Sequence, residues 1–229
     1  MIGIIGAMGV EVEGIQARIE QPETRVIGGN EFTSGKLCGR DVVIAKCGIG
    51  KVNAAICTQT MILTYAPEII VNSGVAGSLT KNLTFGDIAI ANNLVQHDVD
   101  TSALGDPVGL VSTINKIYFE CDERAVSLIH EIVSGMEGVG GITGTIASGD
   151  QFIGSGARKD WIVNTFNAIA CEMEGGAIAQ TCAVSGVKCA VIRAISDNAD
   201  DDSHMDYGQF LKLAAERSIE VLIRFVAAY

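Results

Sequence analysis

Proline is scarce, three residues in 229, and no low-complexity tract, internal repeat or linker-like segment interrupts the chain. With 48% of residues apolar, a disordered protein is excluded, and one packed domain over residues 1–229 is expected. Positive charge is also short: 16 Lys and Arg against 27 Asp and Glu leave a formal net charge of −11. Nucleic-acid polymers and anionic membrane surfaces both demand a basic footprint, so neither is expected as a partner. A neutral or cationic small ligand stays open. No apolar stretch is long and unbroken enough to span a bilayer. The opening Met-Ile-Gly-Ile-Ile-Gly-Ala-Met8 carries no basic segment and runs into Glu11 too early for a secretory signal. The seven cysteines (38, 47, 57, 121, 171, 182, 189) are odd in number and contain no CxxC pair. None lies beside a His as an activated nucleophile requires. Several fall in apolar runs, as buried free thiols of a reducing cytoplasm do. Nucleotide signatures are missing too. Gly3-x-x-Gly6-x-x-Gly9 is not the dinucleotide spacing, and Cys47-Gly-Ile-Gly-Lys51 lacks the leading Gly and trailing Ser or Thr of a triphosphate loop.

What is present is a rhythm of short apolar strands and helices. Strands are expected at residues 2–7, 25–28, 31–38, 41–47, 68–73, 87–95, 142–147, 168–171 and 189–195. Helices are expected near 10–20, from Lys51 to about Tyr65, and at 122–135, 157–166 and 175–185. A last helix starts near Met205, with Leu211, Ala215, Ile219, Leu222 and Val226 on one face. Turn signals at Gly28-Gly29-Asn30 and Cys38-Gly39-Arg40-Asp41 make part of the sheet antiparallel. The fold class is therefore α/β with a mixed sheet. Residues 101–118 form a loop whose apolar members Leu104, Val108, Leu110 and Val111 suggest a subunit contact. His97 and Asp98 would point to opposite sides of an extended backbone, and no other His is nearby, so a hydrogen-bonded loop is expected there and not a metal site. His130 is expected on a helix surface, and His204 as a surface or capping residue.

Residues 189–195 form an unbroken apolar run, suited to a strand buried on both faces, and Ser196-Asp197 falls where it leaves the sheet. Ligands of open α/β sheets bind beyond the carboxyl ends of strands. Asp197 is thus either a loop-capping residue or a catalytic acid, while Asp200 stays a loop residue. Other expected strand ends deliver Met8 to Glu11, Gly48 to Gly50, Ser73 to Gly77, Ser148 to Phe152 and Glu172 to Glu174. If these converge, one pocket holds Glu11, Glu174, Asp197 and Arg193 with Phe152, Met8 and Met173. Several carboxylates in an apolar lining disfavour a phosphate ligand. They suit a polyhydroxylated sugar and a leaving group that must be protonated.

Six pieces carry a family resemblance: Gly3-Ile-Ile-Gly-Ala-Met8 with Glu11, Gly48-Ile-Gly-Lys51, Gly74-Val-Ala-Gly77, Ser148-Gly-Asp-Gln-Phe152, Glu172-Met-Glu174 and Arg193-Ala-Ile-Ser-Asp197. In this order the chain resembles the 5′-methylthioadenosine/S-adenosylhomocysteine nucleosidases of the nucleoside phosphorylase superfamily. The resemblance implies a three-layer α/β/α fold with a central mixed sheet. It implies hydrolysis of an adenine N-glycosidic bond without metal or cofactor. Asp197, helped by Ser196, would protonate purine N7, and Glu11 would draw the proton from the attacking water. Glu174 would bind the ribose 2′- and 3′-hydroxyls with Met173 against the sugar, while Phe152, followed by Ile153, would stack on the base. Met8, Ile49, Val75 and Tyr207 would line the sugar and 5′-substituent region. In the family a second subunit completes that region, and the loop around Leu104 and Pro107 matches it, so a homodimer is implied. Arg193 would most simply position the water-side carboxylate.

Val75 departs from a Ser found in some members and Leu104 from an aromatic, while Gly9 and Val10 stand where others carry acids. None of these touches Glu11, Glu174 or Asp197. Three rivals stay open: a purine nucleoside phosphorylase, a non-catalytic purine sensor, and a nucleosidase acting mainly on aminodeoxyfutalosine. Phosphate would need Arg or Lys beside the first and third loops, where Met8, Val10, Glu11 and Val75 stand.

Overall fold

A computed structural model describes residues 1–154, 156–197 and 207–229, with side chains of the last segment from residue 210 onward. The expectations for Asp200, His204 and the start of the last helix at Met205 lie outside the described residues, as does the side chain of Tyr207. In chain order the elements are β1 (Ile2–Gly6), α1 (Gly9–Gln16), β2 (Glu20–Ile27), β3 (Asn30–Leu37), β4 (Arg40–Lys46), α2 (Lys51–Tyr65), β5 (Ile69–Ser78) and β6 (Ile88–Gln96). There follow β7 (Tyr118–Glu120), α3 (Glu123–Ser134), β8 (Gly141–Ser148), α4 (Ala157–Phe166), β9 (Ala168–Glu172), α5 (Gly175–Ser185), β10 (Lys188–Asp197) and α6 (Tyr207–Ala228).

Successive residues of a strand face opposite sides of a sheet, and the apolar runs here divide accordingly. Ile2 and Ile4, Val42 and Ile44, and Ala190 and Ile192 join one core cluster, together with residues of α1, α3 and α6. Ile5, Val43 and Ala45, and Cys189 and Val191 join the other, with α2 and α5. Helices on both faces of a mixed sheet are the expected three layers. On α6, Ala215, Ile219, Leu222 and Val226 are buried as the apolar spacing predicts, and Leu211 packs at the cluster's edge.

The sheet is parallel across β4–β1–β5–β10 and across β6–β8–β9, and antiparallel at β2–β3, β3–β4, β10–β6, β6–β7 and β5–β9. Its connectivity goes beyond the sequence expectation. One edge of β5 pairs with β10 along its length, while the other pairs first with β1, up to Asn72, and then with β9, from Gly77. Strands β5, β10, β6, β8 and β9 therefore close on themselves. Between the β1 and β9 pairings, residues 73–76 of β5 have no strand partner on that edge. A gap in the middle of a buried sheet leaves backbone donors that something else must satisfy.

Two further differences concern length. The expected loop at Gly74-Val-Ala-Gly77 is strand, because β5 runs on to Ser78. β2 begins at Glu20, with seven of its eight residues exposed. Its edge position needs no apolar pattern, so the polar residues ahead of Arg25 gave no strand signal.

Candidate active site

The gap in β5 is filled by a carboxylate. Glu11 stands in the first turn of α1 and is 2% exposed. Its Oε1 accepts from Val75 N at 3.1 Å, inside the unpaired stretch of β5. Its Oε2 accepts from Ala7 N at 2.7 Å and Met8 N at 2.9 Å, closing the β1–α1 turn. Three backbone donors thus fix both oxygens at the mouth of the gap, where a helix N-terminus favours negative charge.

Across the pocket, Asp197 ends β10. The register with β5 shifts between Ile195 and Asp197, so Ser196 is a bulge residue. Bulges bend a strand and re-aim its side chains. Ser196 Oγ donates to Asp197 Oδ2 at 2.9 Å and leans on Ala76 O at 3.4 Å. Both residues line the same pocket as Glu11. Asp197 thus lines a cavity that it shares with two further acids of the sequence expectation, Glu11 and Glu174.

The third carboxylate comes from the β9–α5 turn. Glu174 is 5% exposed, and its Oε1 accepts from Gly50 N at 2.9 Å. That bond ties the pocket to the loop before α2, where Gly50 has φ +96°. Burial, and then the neighbouring charge of Glu172, push the Glu174 carboxyl up to about 7, with Arg193 and the Gly50 N–H pulling the other way.

Arg193 corrects the sequence expectation. It is fully buried, on the face of β10 that meets α2 and α5, directly beside Gly74 in the register. A Cβ at Gly74 would overlap both Arg193 Nη1 and Glu11 Oε1, so only glycine fits there. Arg193 does not chiefly hold Glu11. Its Nη2 bonds Glu172 Oε2 and Asn72 Oδ1, and Glu174 Oε2 lies 3.7 Å away. Asn72 and Glu172 are the residues that sequence reasoning left without a role. Asn72 is masked in an apolar strand, and Glu172 looks like a twin of Glu174.

The structure brings Met8, Glu11, Ile49, Val75, Phe152, Ile153, Met173, Glu174, Ser196 and Asp197 around one pocket. Gln151, Cys171 and Glu172 join them. Burial pushes the Cys171 thiol up to about 12, so it is a neutral wall of the pocket and no nucleophile. Leu104 and Pro107 do not line this pocket, and Leu104 is 84% exposed.

Three connections, before α2, after β6 and after β8, are stitched together beside it. Lys51 Nζ meets Asp98 Oδ1 at 2.6 Å, Asp98 Oδ2 accepts from Asp150 N at 2.9 Å, and Asp150 Oδ1 accepts from Lys51 N at 2.8 Å. Burial works to raise the Asp98 carboxyl, but Lys51 and the Asp150 N–H outweigh it and leave it lowered. His97 is buried against Arg158, and burial lowers its pKa. Among the described residues, no group of three His, Cys, Asp or Glu side chains is placed to hold a metal ion.

The model of the phosphorylase superfamily matches residues 1–227. A Shewanella halifaxensis protein named 5′-methylthioadenosine/S-adenosylhomocysteine nucleosidase is 40% identical over 97% of this chain and 96% of its own length. A Helicobacter pylori protein named aminodeoxyfutalosine nucleosidase is also 40% identical, over 96% of this chain and 95% of its own. The crystal structure of a Neisseria meningitidis 5′-methylthioadenosine/S-adenosylhomocysteine nucleosidase in complex with methylthio-immucillin-A superposes with a TM-score of 0.95 at 34% identity, covering 100% of this chain and 99% of that one. The gapped mixed sheet with its four pocket carboxylates accordingly has a lineage: the chain belongs to the 5′-methylthioadenosine/S-adenosylhomocysteine nucleosidase family of the phosphorylase superfamily.

Proposed function

We propose that this protein is a hydrolase that cleaves the N-glycosidic bond of 5′-substituted adenosines, 5′-methylthioadenosine and S-adenosylhomocysteine foremost. The observation that carries the assignment is the pairing of Glu11 and Asp197 in one pocket, each held by its own hydrogen bonds. Breaking the bond between C1′ and N9 builds positive charge on the sugar and negative charge on the base. Asp197, steadied by Ser196, gives a proton to N7 and so neutralises the departing adenine. Glu11 takes a proton from water as its oxygen bonds to C1′, in the manner of an inverting glycosidase's two carboxyl groups. Glu174 accepts from the ribose hydroxyls, Met173 packs on the sugar, and Phe152 lies against the base.

Hydrolysis is favoured over phosphorolysis by charge. No Lys or Arg is among the described residues lining the pocket, and Arg193 is buried beneath it in bonds to Glu172 and Asn72. Adenine release from methylthioadenosine in phosphate-free buffer tests this, and strict dependence on phosphate would overturn it. Glu11→Gln and Asp197→Asn are each expected to lower kcat by at least about 10², with binding of a substrate analogue retained. A sensor domain would show no turnover in the parent protein.

A second substrate has a specific observation behind it: the aminodeoxyfutalosine nucleosidase of Helicobacter pylori is as similar in sequence as the methylthioadenosine relative. Parallel kinetics on methylthioadenosine, S-adenosylhomocysteine, 5′-deoxyadenosine and aminodeoxyfutalosine rank the two.

The active unit proposed is a homodimer in the cytoplasm. Val52, Ile56 and Leu63 form an exposed apolar stripe on α2, and Ile49, just ahead of it, lines the pocket. A second copy seated there would bring the loop of Leu104 and Pro107 to the 5′-substituent end of its neighbour's pocket.

A further inference from the structure

Glu172 has no part in the chemistry above, yet it lines the same pocket as Glu11, Glu174 and Asp197. Four donors converge on it. Ser148 Oγ donates to Oε1, while Oε2 receives Glu174 N at 3.0 Å, Gly175 N at 2.7 Å and Arg193 Nη2. Ser148 Oγ in turn accepts from Gly176 N at 2.6 Å. Two of the four donors are the first N–H groups of α5, so the carboxylate also closes that helix N-terminus.

We propose that Glu172 is a positioning residue for Glu174: by engaging Arg193 and the start of α5, it leaves the sugar-binding carboxylate aimed into the pocket with one oxygen unbonded. The proposal rests on reading Glu174 as the ribose ligand. Glu172 and Glu174 share one guanidinium, and Glu172 holds the closer contact. The consequence for Glu174 is geometric. Its Oε1 takes the Gly50 N–H, and its Oε2 has Arg193 no nearer than 3.7 Å. That oxygen is open to a hydroxyl pair. The charged and titratable groups facing Glu174 are Glu172 on β9, Arg193 on β10, Glu11 on α1 and Cys47 at the end of β4. Of these, Glu172 is the largest like-charge influence and supports a carboxyl that titrates near 7.

Glu172→Gln keeps the volume and an acceptor for the α5 N–H groups but removes the charge. Arg193 then turns to Glu174, so a like charge is lost and a cation draws closer, and both changes pull the Glu174 titration down. The probe is 5′-methylthio-7-deazaadenosine, whose base has carbon in place of N7, so its binding does not engage the Asp197 proton. In the parent protein its affinity is expected to rise with pH through about 7, where Glu174 ionises. In Glu172→Gln the midpoint should fall by about one unit, and affinity at pH 8 should drop at least about threefold because Arg193 now occupies the open oxygen. KM for methylthioadenosine should rise more than kcat falls. Ser148→Ala removes a clamp on Glu172 but keeps its charge, and should leave the midpoint in place. A Glu172→Gln midpoint equal to the parent's overturns the proposal, as does an equal shift in Ser148→Ala. Should Glu172→Gln fail to fold, the parent protein labelled with ¹³C at glutamate Cδ is titrated instead. Glu174 is identified as the carboxyl lost in Glu174→Gln; a lower midpoint for it in Glu172→Asp, which draws the charge back from Arg193, supports the proposal, and an unmoved one overturns it. If Glu11→Gln and Asp197→Asn keep full turnover, the nucleosidase mechanism fails; if they lose it and only the Glu172 midpoint is unmoved, the positioning role alone falls.

Discussion

Glu174 stores a pH dependence that stability measurements can read directly. Its folded carboxyl is raised from 4.5 to about 7, burial first and Glu172 second. Between those values the folded protein holds a proton that the unfolded chain has released, so stability falls as pH rises through that window. The thermal midpoint of the parent protein should therefore drop relative to Glu174→Gln between pH 5 and pH 7.5. A constant difference between the two proteins across that range would show that Glu174 is not the titrating group. At this scale the sequence was informative about the acids at strand ends, since Glu11 and Asp197 each close an apolar run. It was silent on the division of labour at Glu172-Met-Glu174. Two glutamates two residues apart look alike until the structure shows one sealed by four donors and the other open. Arg193 was misjudged for the same reason. Its nearest anion, Glu172, lies on β9, which β5 separates from β10, and such proximity is set by topology and not by spacing along the chain.

Among the elements, the loop before α2 and the loop after β8 have to move as one, because the first carries the Gly50 N–H for Glu174 and the second carries Phe152. The ring of Lys51, Asp98 and Asp150 joins them. Asp98→Ala removes the shared acceptor and should raise KM for methylthioadenosine about tenfold with a smaller change in kcat, since binding geometry suffers more than the proton transfers. Lys51→Ala should have a similar effect, and the double variant should be no worse than either single one, the signature of one connected unit. Full additivity in that cycle would dissolve the ring as a functional device. The strand and helix positions that frame these loops were legible from apolar rhythm and turn glycines. The closure of β5, β10, β6, β8 and β9 was not. It depends on β5 changing partners midway along one edge, which leaves no mark in an apolar run. The bulge at Ser196 is equally invisible in a sequence that simply turns polar.

For the molecule as a whole, the pocket of one chain is open where Ile49 is 55% exposed, and the loop predicted to touch a subunit projects Leu104 into solvent on another part of the same chain. Val52, Ile56 and Leu63 are 69%, 48% and 77% exposed along one side of α2, an apolar stripe that a monomer would leave in water. In the proposed homodimer a second copy would cover the stripe and add a wall to the pocket in one step, which would couple assembly to affinity for the 5′-substituent. Ile56→Asp combined with Leu63→Asp places two charges in that contact without touching the carboxylates. The parent protein should sediment as a dimer and the double variant as a monomer. KM for methylthioadenosine should rise about tenfold or more in the monomer, while Leu104→Ala, which leaves the stripe intact, should raise KM with the dimer preserved. A double variant that is monomeric yet keeps the parent's KM would mean that each pocket is complete by itself. A parent protein that sediments as a monomer would remove the dimer altogether. The comparison of 5′-methylthio with 5′-deoxy substrates sharpens the result, because the proposed partner wall around Leu104 would act only on the group that reaches it.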